Sequence, residues 1–307
     1  MTELTLGSRL GATQRLARLR RRAADNLTAY AFMAAGIVCF GLFAWYPLVK
    51  GIELSFQENN FVDPARWVGL SNFRRVVDDP LFGTAWKNTF EFTGLALVLG
   101  FAVPFVAAVV FNELRHLQGF FRVAVYLPVM LPPAVSILLW EYFYDPGEGL
   151  FNSVLRTVHL PTSQWIQSPR LAMASLVLVS TWMNMGSAVI LYLAGLKGIP
   201  SDLYEAAEID GAGIWQRFRH ITLPSMRFLL LVLLLLQVIA TMQVFTEPYL
   251  LTGTTDPSTI TVMVLVYRYA FSVNQDIGLA AAMSMILFAV LAVLSAVYLW
   301  LTRTRTP

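Results

Sequence analysis

Residues 198–224 of the chain read GIPSDLYEAAEIDGAGIWQRFRHITLP, and this stretch predicts two short helices joined by a turn. Pro200 ends the preceding helix, because a proline restricts the residue before it to extended conformations. Asp202 is placed to cap a new helix, with Glu205 three residues later in the spacing of a capping box. Gly211 then ends that helix, since a glycine adopts positive φ at little cost.

Each of the two predicted helices has one distinct face. Helix positions i, i+3, i+4 and i+7 lie on the same side. In the first helix these positions hold Leu203, Ala206, Ala207 and Asp210. This face is small and shallow, so it suits close approach by another protein. The second helix is amphipathic, with apolar positions at Ile214, Phe218 and Ile221. Pro224 marks the entry into a long apolar segment.

Six apolar segments surround this stretch along the chain, and each is long enough to cross a bilayer, which takes roughly 20 mostly apolar residues. They are Thr28–Val49, Phe92–Phe111, Val123–Phe143, Leu171–Leu196, Phe228–Leu251 and Ile277–Leu301. They are too long and too uniformly apolar for the strands of an outer-membrane barrel. A seventh run, Ile260–Phe271, is too short to span and contains Arg268, so we expect an interfacial or re-entrant segment. The sequence therefore predicts an all-α polytopic membrane protein with six transmembrane helices.

The composition agrees with a membrane protein. Of the 307 residues, 57% are hydrophobic and only 13% are charged, whereas soluble proteins carry about 25% charged residues. So few charges exclude a soluble enzyme, a disordered chain and a nucleic-acid-binding module. The single cysteine, Cys39, excludes an intrachain disulfide and a multi-cysteine metal site. The three histidines lie in separate loops, so we expect no metal site.

The basic residues favour a cytoplasmic N-terminus. That orientation places most of the 22 Lys and Arg residues on the cytoplasmic side, as the positive-inside rule requires. The short loop 112–122 and the basic cluster at residues 15–22 contribute most of this bias. With six spans, the C-terminus is then cytoplasmic as well. The cluster is interpreted as a solvated topology anchor, and the alternative is a site for anionic lipid or a partner protein.

Residues 198–224 resemble the EAA loop of ABC-importer permeases. The matching positions are Glu205, Ala206, Ala207, Asp210, Gly211 and Ala212, then, after eight residues, Ile221, Leu223 and Pro224. In that family the loop forms the coupling helix, which docks into a groove on a separate ATPase subunit. The resemblance therefore implies that the ATPase-coupling residues are Leu203, Glu205, Ala206, Ala207, Asp210, Gly211, Ile221, Leu223 and Pro224. We call residues 198–224 the EAA loop below.

Further motifs resemble the carbohydrate importers of this family, the MalF-like group. They are Tyr46-Pro47, residues 68–73 (VGLSNF), residues 87–89 (KNT), Leu127-Pro128, Pro132-Pro133, Trp140, Gly149, Asn152, Thr252-Gly253 and Tyr267 to Phe271. After Thr252-Gly253 the family's glycine-rich run is replaced by Thr254-Thr255-Asp256. The resemblance implies a MetI-like fold of the type I importers, with a basic cytoplasmic tail at residues 1–27, a permease domain at 28–301 and a short cytoplasmic tail at 302–307.

The resemblance also implies partners. We expect a second homologous permease that forms a heterodimer with this chain, two ABC ATPase subunits, an extracytoplasmic solute-binding protein and the lipid of a bacterial or archaeal inner membrane. The chain itself lacks the G-x-x-x-x-G-K-[ST] phosphate loop, so we expect ATP and Mg to bind the ATPase and no cofactor to bind here. It also lacks H-E-x-x-H and G-x-S-x-G, so we predict a transport subunit rather than an enzyme.

Polar residues inside the spans are candidates for a substrate path, because burying them in a bilayer is costly. They are Asn184, Gln237, Thr241, Gln243 and Glu247, with Trp182, Phe245 and Tyr249 as aromatic faces for a sugar ring. No Lys or Arg lies well inside a span, so we expect a neutral sugar or oligosaccharide. The alternative for each polar residue is a helix–helix contact, and for Glu247 an interfacial position. The alternative function is a secondary transporter or channel for a small polar solute.

Overall fold

The computed structural model describes residues 26, 28–60, 62–113, 118–271 and 275–303, so the basic cluster at 15–22 lies outside the described residues. The chain divides into two units, one ending at Leu54 and the other beginning at Ser55. Helix α1, Thr28–Ser55, lies in the first unit up to Leu54 and ends at the first residue of the second. It contains a π-helical turn at Gly41–Trp45. The sequence predicted an end at Val49, but Lys50 lies within the helix and pairs with Glu53 one turn later, at 2.6 Å.

Among its described residues, the second unit contains helices and one short antiparallel pair of strands, β1 (Gln57–Glu58) and β2 (Arg66–Trp67). Its helices are α2 (Ser71–Val77), α3 (Phe82–Glu113), α4 (Gln118–Met130), α5 (Pro133–Tyr144), α6 (Leu150–Thr157), α7 (Ala172–Lys197), α8 (Ser201–Ile209), α9 (Ile214–Arg217), α10 (Leu223–Met242), α11 (Thr246–Thr252), α12 (Val262–Phe271) and α13 (Ile277–Arg303). Within the described residues, five helical segments are long and apolar enough to cross a membrane, and α4 with α5, taken as one bent span, makes a sixth. The predicted all-α, six-span architecture is confirmed.

Two of the predicted spans are not continuous helices. The third, Val123–Phe143, consists of α4 and α5, whose axes differ by 102°. The cause is Pro132 and Pro133, because a proline has no N–H to continue the helical bonding. The fifth, Phe228–Leu251, is interrupted between α10 and α11. The second span is also longer than predicted, since α3 begins ten residues before Phe92.

Helix α7 packs against α3 and α4 and forms the centre of the second unit. Gly186 allows α4 to approach α7 closely: a Cβ at this position would lie 2.6 Å from the carbonyl oxygen of Val125. Towards the EAA loop, Tyr192 of α7 packs edge-on against Phe105 of α3, with ring centroids 5.3 Å apart. Both rings belong to a buried apolar cluster that extends to α10.

The short helix α12 is packed against α13 and α3. Its ten residues are too few to span, as the sequence predicted. Val264 and Leu265 are fully buried, which is not the half-exposed pattern of a helix lying in the membrane interface. Helix α12 is therefore packed among neighbouring helices, and its interfacial or re-entrant position in the membrane stays a prediction.

The motif at residues 87–89 anchors the segment that leads into α12. The amide of Asn88 donates to the carbonyl oxygens of Pro257 and Ile260, both at 2.9 Å. The hydroxyl of Thr89 accepts from the N–H of Val262 at 3.0 Å. These side chains are buried, so the motif fixes the position of α12 against α3.

The loop between α5 and α7 is organised by another motif residue, Asn152 on α6. Its Nδ2 donates to the carbonyl oxygens of Pro146 and Ser163, at 2.9 and 2.8 Å. Its Oδ1 accepts from the indole N–H of Trp165 at 3.0 Å. A fully buried side chain with this many partners acts as a structural clamp.

Candidate functional site

A cavity of about 320 Å³ lies where the fifth span is interrupted. Most of the residues predicted for a substrate path meet here, and those that line it are Asn184, Gln237, Thr241, Gln243, Phe245 and Glu247. Helix α7 supplies one wall, α3 another, and the end of α10 with the start of α11 completes it. Ser180, Thr181 and Thr246 add hydroxyl groups to the lining.

The interruption beside the cavity follows from Pro248. Because it has no N–H, it cannot donate to the carbonyl of Val244 four residues earlier, and its ring clashes with a helical carbonyl there. The freed carbonyl of Val244 instead accepts a hydrogen bond from the hydroxyl of Thr261, at 2.9 Å. Thr261 is buried and belongs to the segment before α12. It therefore fixes the shape of the break, and Thr261 was not among the residues predicted for the site.

The polar groups of the cavity are oriented by bonds within their own helices. The Asn184 amide donates to the carbonyl of Ser180 at 2.9 Å, and the Gln243 amide donates to the carbonyl of Ile239 at 3.0 Å. The Thr241 hydroxyl donates to the carbonyl of Gln237, one turn earlier, at 2.8 Å. Neither amide oxygen accepts a hydrogen bond from any residue in the described part of the chain. The cavity thus offers these oxygens as acceptors to a solute.

Two aromatic residues considered for the path are not among the described residues that line the cavity. Tyr249 stacks on Phe245 with ring centroids 4.9 Å apart, and its hydroxyl lies 3.1 Å from that of Tyr267. Trp182 packs edge-on against Trp140, at 5.7 Å. Of the predicted aromatic faces, Phe245 is the one on the cavity wall.

In the EAA loop, the first predicted helix forms as α8, and its end is built around Gly211. This glycine has φ of +76°, which confirms the predicted turn. Its N–H donates to the carbonyl of Glu208, and the N–H of Ala212 donates to the carbonyl of Ala207, at 3.1 and 2.8 Å. This pair of bonds is a Schellman motif, which requires a left-handed residue at the position of Gly211.

The predicted capping box at Asp202 and Glu205 is wrong. Helix α8 begins at Ser201 after Pro200, and no side-chain cap bond forms at its start. Because the helix starts two residues earlier than expected, Asp202 lies inside the first turn, where its charge favours the helix N-terminus. A capping contact occurs at the next helix instead, where the Gln216 side chain accepts from the N–H of residue 213 at 2.9 Å.

The surface of the EAA loop is more apolar than its predicted small face. The predicted coupling residues of the first helix and its end are exposed or partly exposed. They are Leu203, Glu205, Ala206, Ala207 and Asp210. Ile209 is 86% exposed and Trp215 is 68% exposed. Neither was among the predicted coupling residues. Ile214, expected on the apolar face of the second helix, is also exposed. The sequence feature that could have identified this surface is the presence of large apolar residues in a polar loop, which indicates a contact surface.

The three remaining predicted coupling residues lie nearer the membrane-spanning part. Ile221 is partly buried within a π-helical turn, Phe218–Thr222, that joins α9 to α10. Leu223 and Pro224 line an apolar groove of about 460 Å³ on α10. The helix therefore runs without a break from the EAA loop into the fifth span.

The two helices of the EAA loop are braced against each other. The hydroxyl of Tyr204 on α8 lies 2.9 Å from that of Thr222. Glu208 on α8 forms an ion pair with Arg217 on α9. These contacts make the loop a defined helix–turn–helix unit.

Aromatic rings continue from this unit into the bundle. Trp215 stacks on Phe218 at 5.4 Å, and Phe218 lies 6.1 Å from Phe105 of α3. Phe105 in turn contacts Tyr192 of α7. The exposed surface of the loop is thus linked by packed side chains to the buried cluster of the spans.

Known proteins are similar to this chain in sequence and in fold. The family model for the binding-protein-dependent transport system inner membrane component matches residues 83–306. The sulfoquinovosyl glycerol transport system permease protein SmoG of Agrobacterium fabrum is 31% identical over 288 residues, covering 92% of each chain. The arabinooligosaccharides transport system permease protein AraP of Bacillus subtilis is 31% identical over 276 residues, covering 89% of this chain and 88% of that one.

A solved structure agrees with these matches. It is the crystal structure of a bacterial ABC transporter involved in the import of the acidic polysaccharide alginate, and one of its chains superposes with a TM-score of 0.83. The two chains are 26% identical, and the match covers 94% of this chain and 100% of the other. The family model covers most of the chain, including the cavity and the EAA loop. The protein is therefore a multi-pass membrane permease that belongs to the family of binding-protein-dependent transport system inner membrane components.

Proposed function

We propose that this chain is half of the translocation path of an ATP-driven importer, and that the cavity beside the fifth span holds a carbohydrate as it crosses. The observation that carries the proposal is the meeting of polar side chains from α7 and α10 with Phe245 in one cavity. A volume of about 320 Å³ lies at the lower end of the range for small-molecule sites, roughly 300–1,000 Å³.

The chemistry of the lining suits hydroxyl groups. Asn184 and Gln243 present amide oxygens, and Thr241 presents a hydroxyl oxygen whose proton is already used. A sugar hydroxyl can donate to each of these acceptors, while the ring of Phe245 can cover an apolar sugar face. Several weak contacts of this kind hold a solute without trapping it, as transport requires.

The energy for transport comes, in this proposal, from a separate ATPase. Two copies bind ATP and Mg and dock on the EAA loops of this chain and of a second, homologous permease. The exposed apolar side chains of Ile209, Ile214 and Trp215 supply a contact surface, and the packed rings behind them carry the movement inwards. The EAA loop and both termini lie in the cytoplasm, and a solute-binding protein delivers the solute from the other side.

Reconstitution tests the proposal. The chain, its second permease and the ATPase are purified as one complex in liposomes, and the sugar is first identified as the one that raises the melting temperature of the partner binding protein. Uptake of that labelled sugar should require ATP, the binding protein and the ATPase. Uptake by this chain alone, or driven by a proton gradient, would instead support a secondary transporter.

A matched pair of variants tests the cavity. Gln237→Leu removes a polar group from the lining and should reduce sugar uptake at least about tenfold, as expected when polar partners are lost at a binding site. Gln164→Leu, in the loop before α7, should leave uptake unchanged. Equal uptake by both variants would exclude the cavity as the solute site.

A further inference from the structure

The cavity carries one ionisable side chain among the described residues that line it, and this is Glu247. Its side chain belongs to the first turn of α11 and is only 6% exposed. In the described part of the chain, no ion pair or side-chain hydrogen bond satisfies its carboxylate. Its oxygens are not among the fully enclosed polar atoms that lack a partner, so the carboxylate is accessible from the cavity that it lines and presents its charge to a solute there.

Three other polar groups of the lining add acceptor oxygens. Asn184, Gln243 and Thr241 each direct a proton to a backbone carbonyl of their own helix and retain an oxygen as acceptor. No Lys, Arg or His is among the described lining residues. An anion entering the cavity would therefore meet a negative charge and several acceptor oxygens, with no cation to offset them.

We propose that Glu247 is the residue that sets the charge selectivity of the cavity, excluding anionic solutes and admitting neutral or cationic ones. The inference rests on the proposed function, because it names the class of carbohydrate that the cavity passes. It also goes beyond family membership, since relatives are named both for arabinooligosaccharides and for an acidic polysaccharide. Glu247 accepts from sugar hydroxyls and repels carboxylated, sulfonated and phosphorylated sugars.

The test measures the charge preference of the cavity without using a sugar. Cys39, the single cysteine, is changed to serine, and Ser180 on the cavity wall is changed to cysteine as a nearly isosteric reporter. The purified importer complex is treated with two methanethiosulfonates of similar size, the cationic trimethylammonium-ethyl reagent and the anionic sulfonato-ethyl reagent. The ratio of the two rate constants is divided by the same ratio for free 2-mercaptoethanol.

This normalised ratio isolates the electrostatic effect. Any change in the ionisation of the reporter thiol affects both reagents equally and cancels. Wild-type Glu247 should give a preference for the cation, and Glu247→Gln should lower the ratio roughly tenfold or more, because one charge in a cavity of low dielectric acts oppositely on the two reagents. Glu247→Asp retains the charge and should retain most of the preference.

A matched control is Glu141→Gln, which removes a carboxylate from α5 at a position that does not line the cavity. It should leave the ratio unchanged. A normalised ratio near one in the complex that retains Glu247 would overturn the inference. This measurement requires no change at Glu247, so it remains valid even if Glu247→Gln fails to assemble. An unchanged ratio in an assembled Glu247→Gln complex would overturn it too. If the importer proves to carry a non-carbohydrate solute, the proposed function fails while this ratio still decides the charge selectivity.

Discussion

Replacing Gly211 tests the geometry of the EAA loop directly. Its φ of +76° is held by the two bonds of the Schellman motif. A Cβ at this position would meet no atom within 4 Å, so a substitution introduces no clash. The cost is that of a left-handed backbone, about 1–2 kcal/mol for a residue with a Cβ. Gly211→Ala should therefore strain the turn alone, and Gly211→Val should cost more because valine is β-branched.

This strain should appear as weaker ATPase docking. A variant loop that leaves this turn when free must re-form it on docking, and that cost of about 1–2 kcal/mol lowers the affinity roughly 5- to 30-fold, since each 1.4 kcal/mol is tenfold. The assay is titration of purified ATPase onto the permease pair in nanodiscs, together with ATP-driven uptake. Gly211→Asn should bind nearly normally, because asparagine tolerates the left-handed region.

The neighbouring Gly213 provides the control. Its φ is −69°, a conformation open to any residue, and it is the N-cap residue of α9. Gly213→Ser should bind as well as wild type, since serine is a good N-cap residue. Full ATPase binding and uptake by both Gly211→Ala and Gly211→Val would refute the argument and remove the EAA loop as the coupling element.

Three further changes have defined outcomes. Thr261→Val leaves the buried carbonyl of Val244 without a donor, so it should lower stability by about 1–3 kcal/mol and reduce uptake, whereas Thr261→Ser should preserve both. Gly186→Ala forces α4 away from α7 and should lower the thermal midpoint, at a cost of about 1–3 kcal/mol, while Gly94→Ala, with open space around it, should not. Tyr204→Phe removes one neutral hydrogen bond, worth about 0.5–1.5 kcal/mol, and should raise the ATP hydrolysed per solute imported.

The spans and the turn of the EAA loop could be predicted because their causes are local. Apolar runs of sufficient length form membrane helices in any context, and Gly211 has a conformation that few other residues adopt. The short α12 was also predictable as a non-spanning segment, since its length is a property of the sequence alone.

The breaks within the spans were harder to predict because their consequences depend on partners elsewhere in the chain. The prolines at 132 and 133 indicated irregularity, but not a bend of 102°. Pro248 frees the carbonyl of Val244, which was not predicted, and the Thr261 hydroxyl that this carbonyl accepts comes from a segment 17 residues away. The capping box failed for a different reason, since the helix start was set by Pro200 and lies two residues earlier than expected.

The candidate cavity was predicted in composition but not in geometry. Polar residues in a span were identified one at a time, and a helix–helix contact was an alternative for each. That Asn184 from α7 and Gln243 from the end of α10 line the same cavity is a result of tertiary packing. Tyr249 was selected from the sequence in the same way, but it stacks on Phe245 and its hydroxyl bonds to that of Tyr267. Residue spacing alone does not separate a cavity-lining side chain from one that packs against its neighbours.

The position of α10 connects the two candidate sites. Its 20 residues correspond to a rod of about 30 Å, which begins at the π-helical turn of the EAA loop and ends at the cavity. Thr241 lies on its last turn, whereas Glu247 lies beyond the break, on a helix whose entry is fastened to Thr261. A displacement of the EAA loop is therefore expected to move Thr241 relative to Glu247. Because the two residues line the same cavity, the movement that the proposed function attributes to ATP would also change the distance between two acceptors proposed to hold the solute.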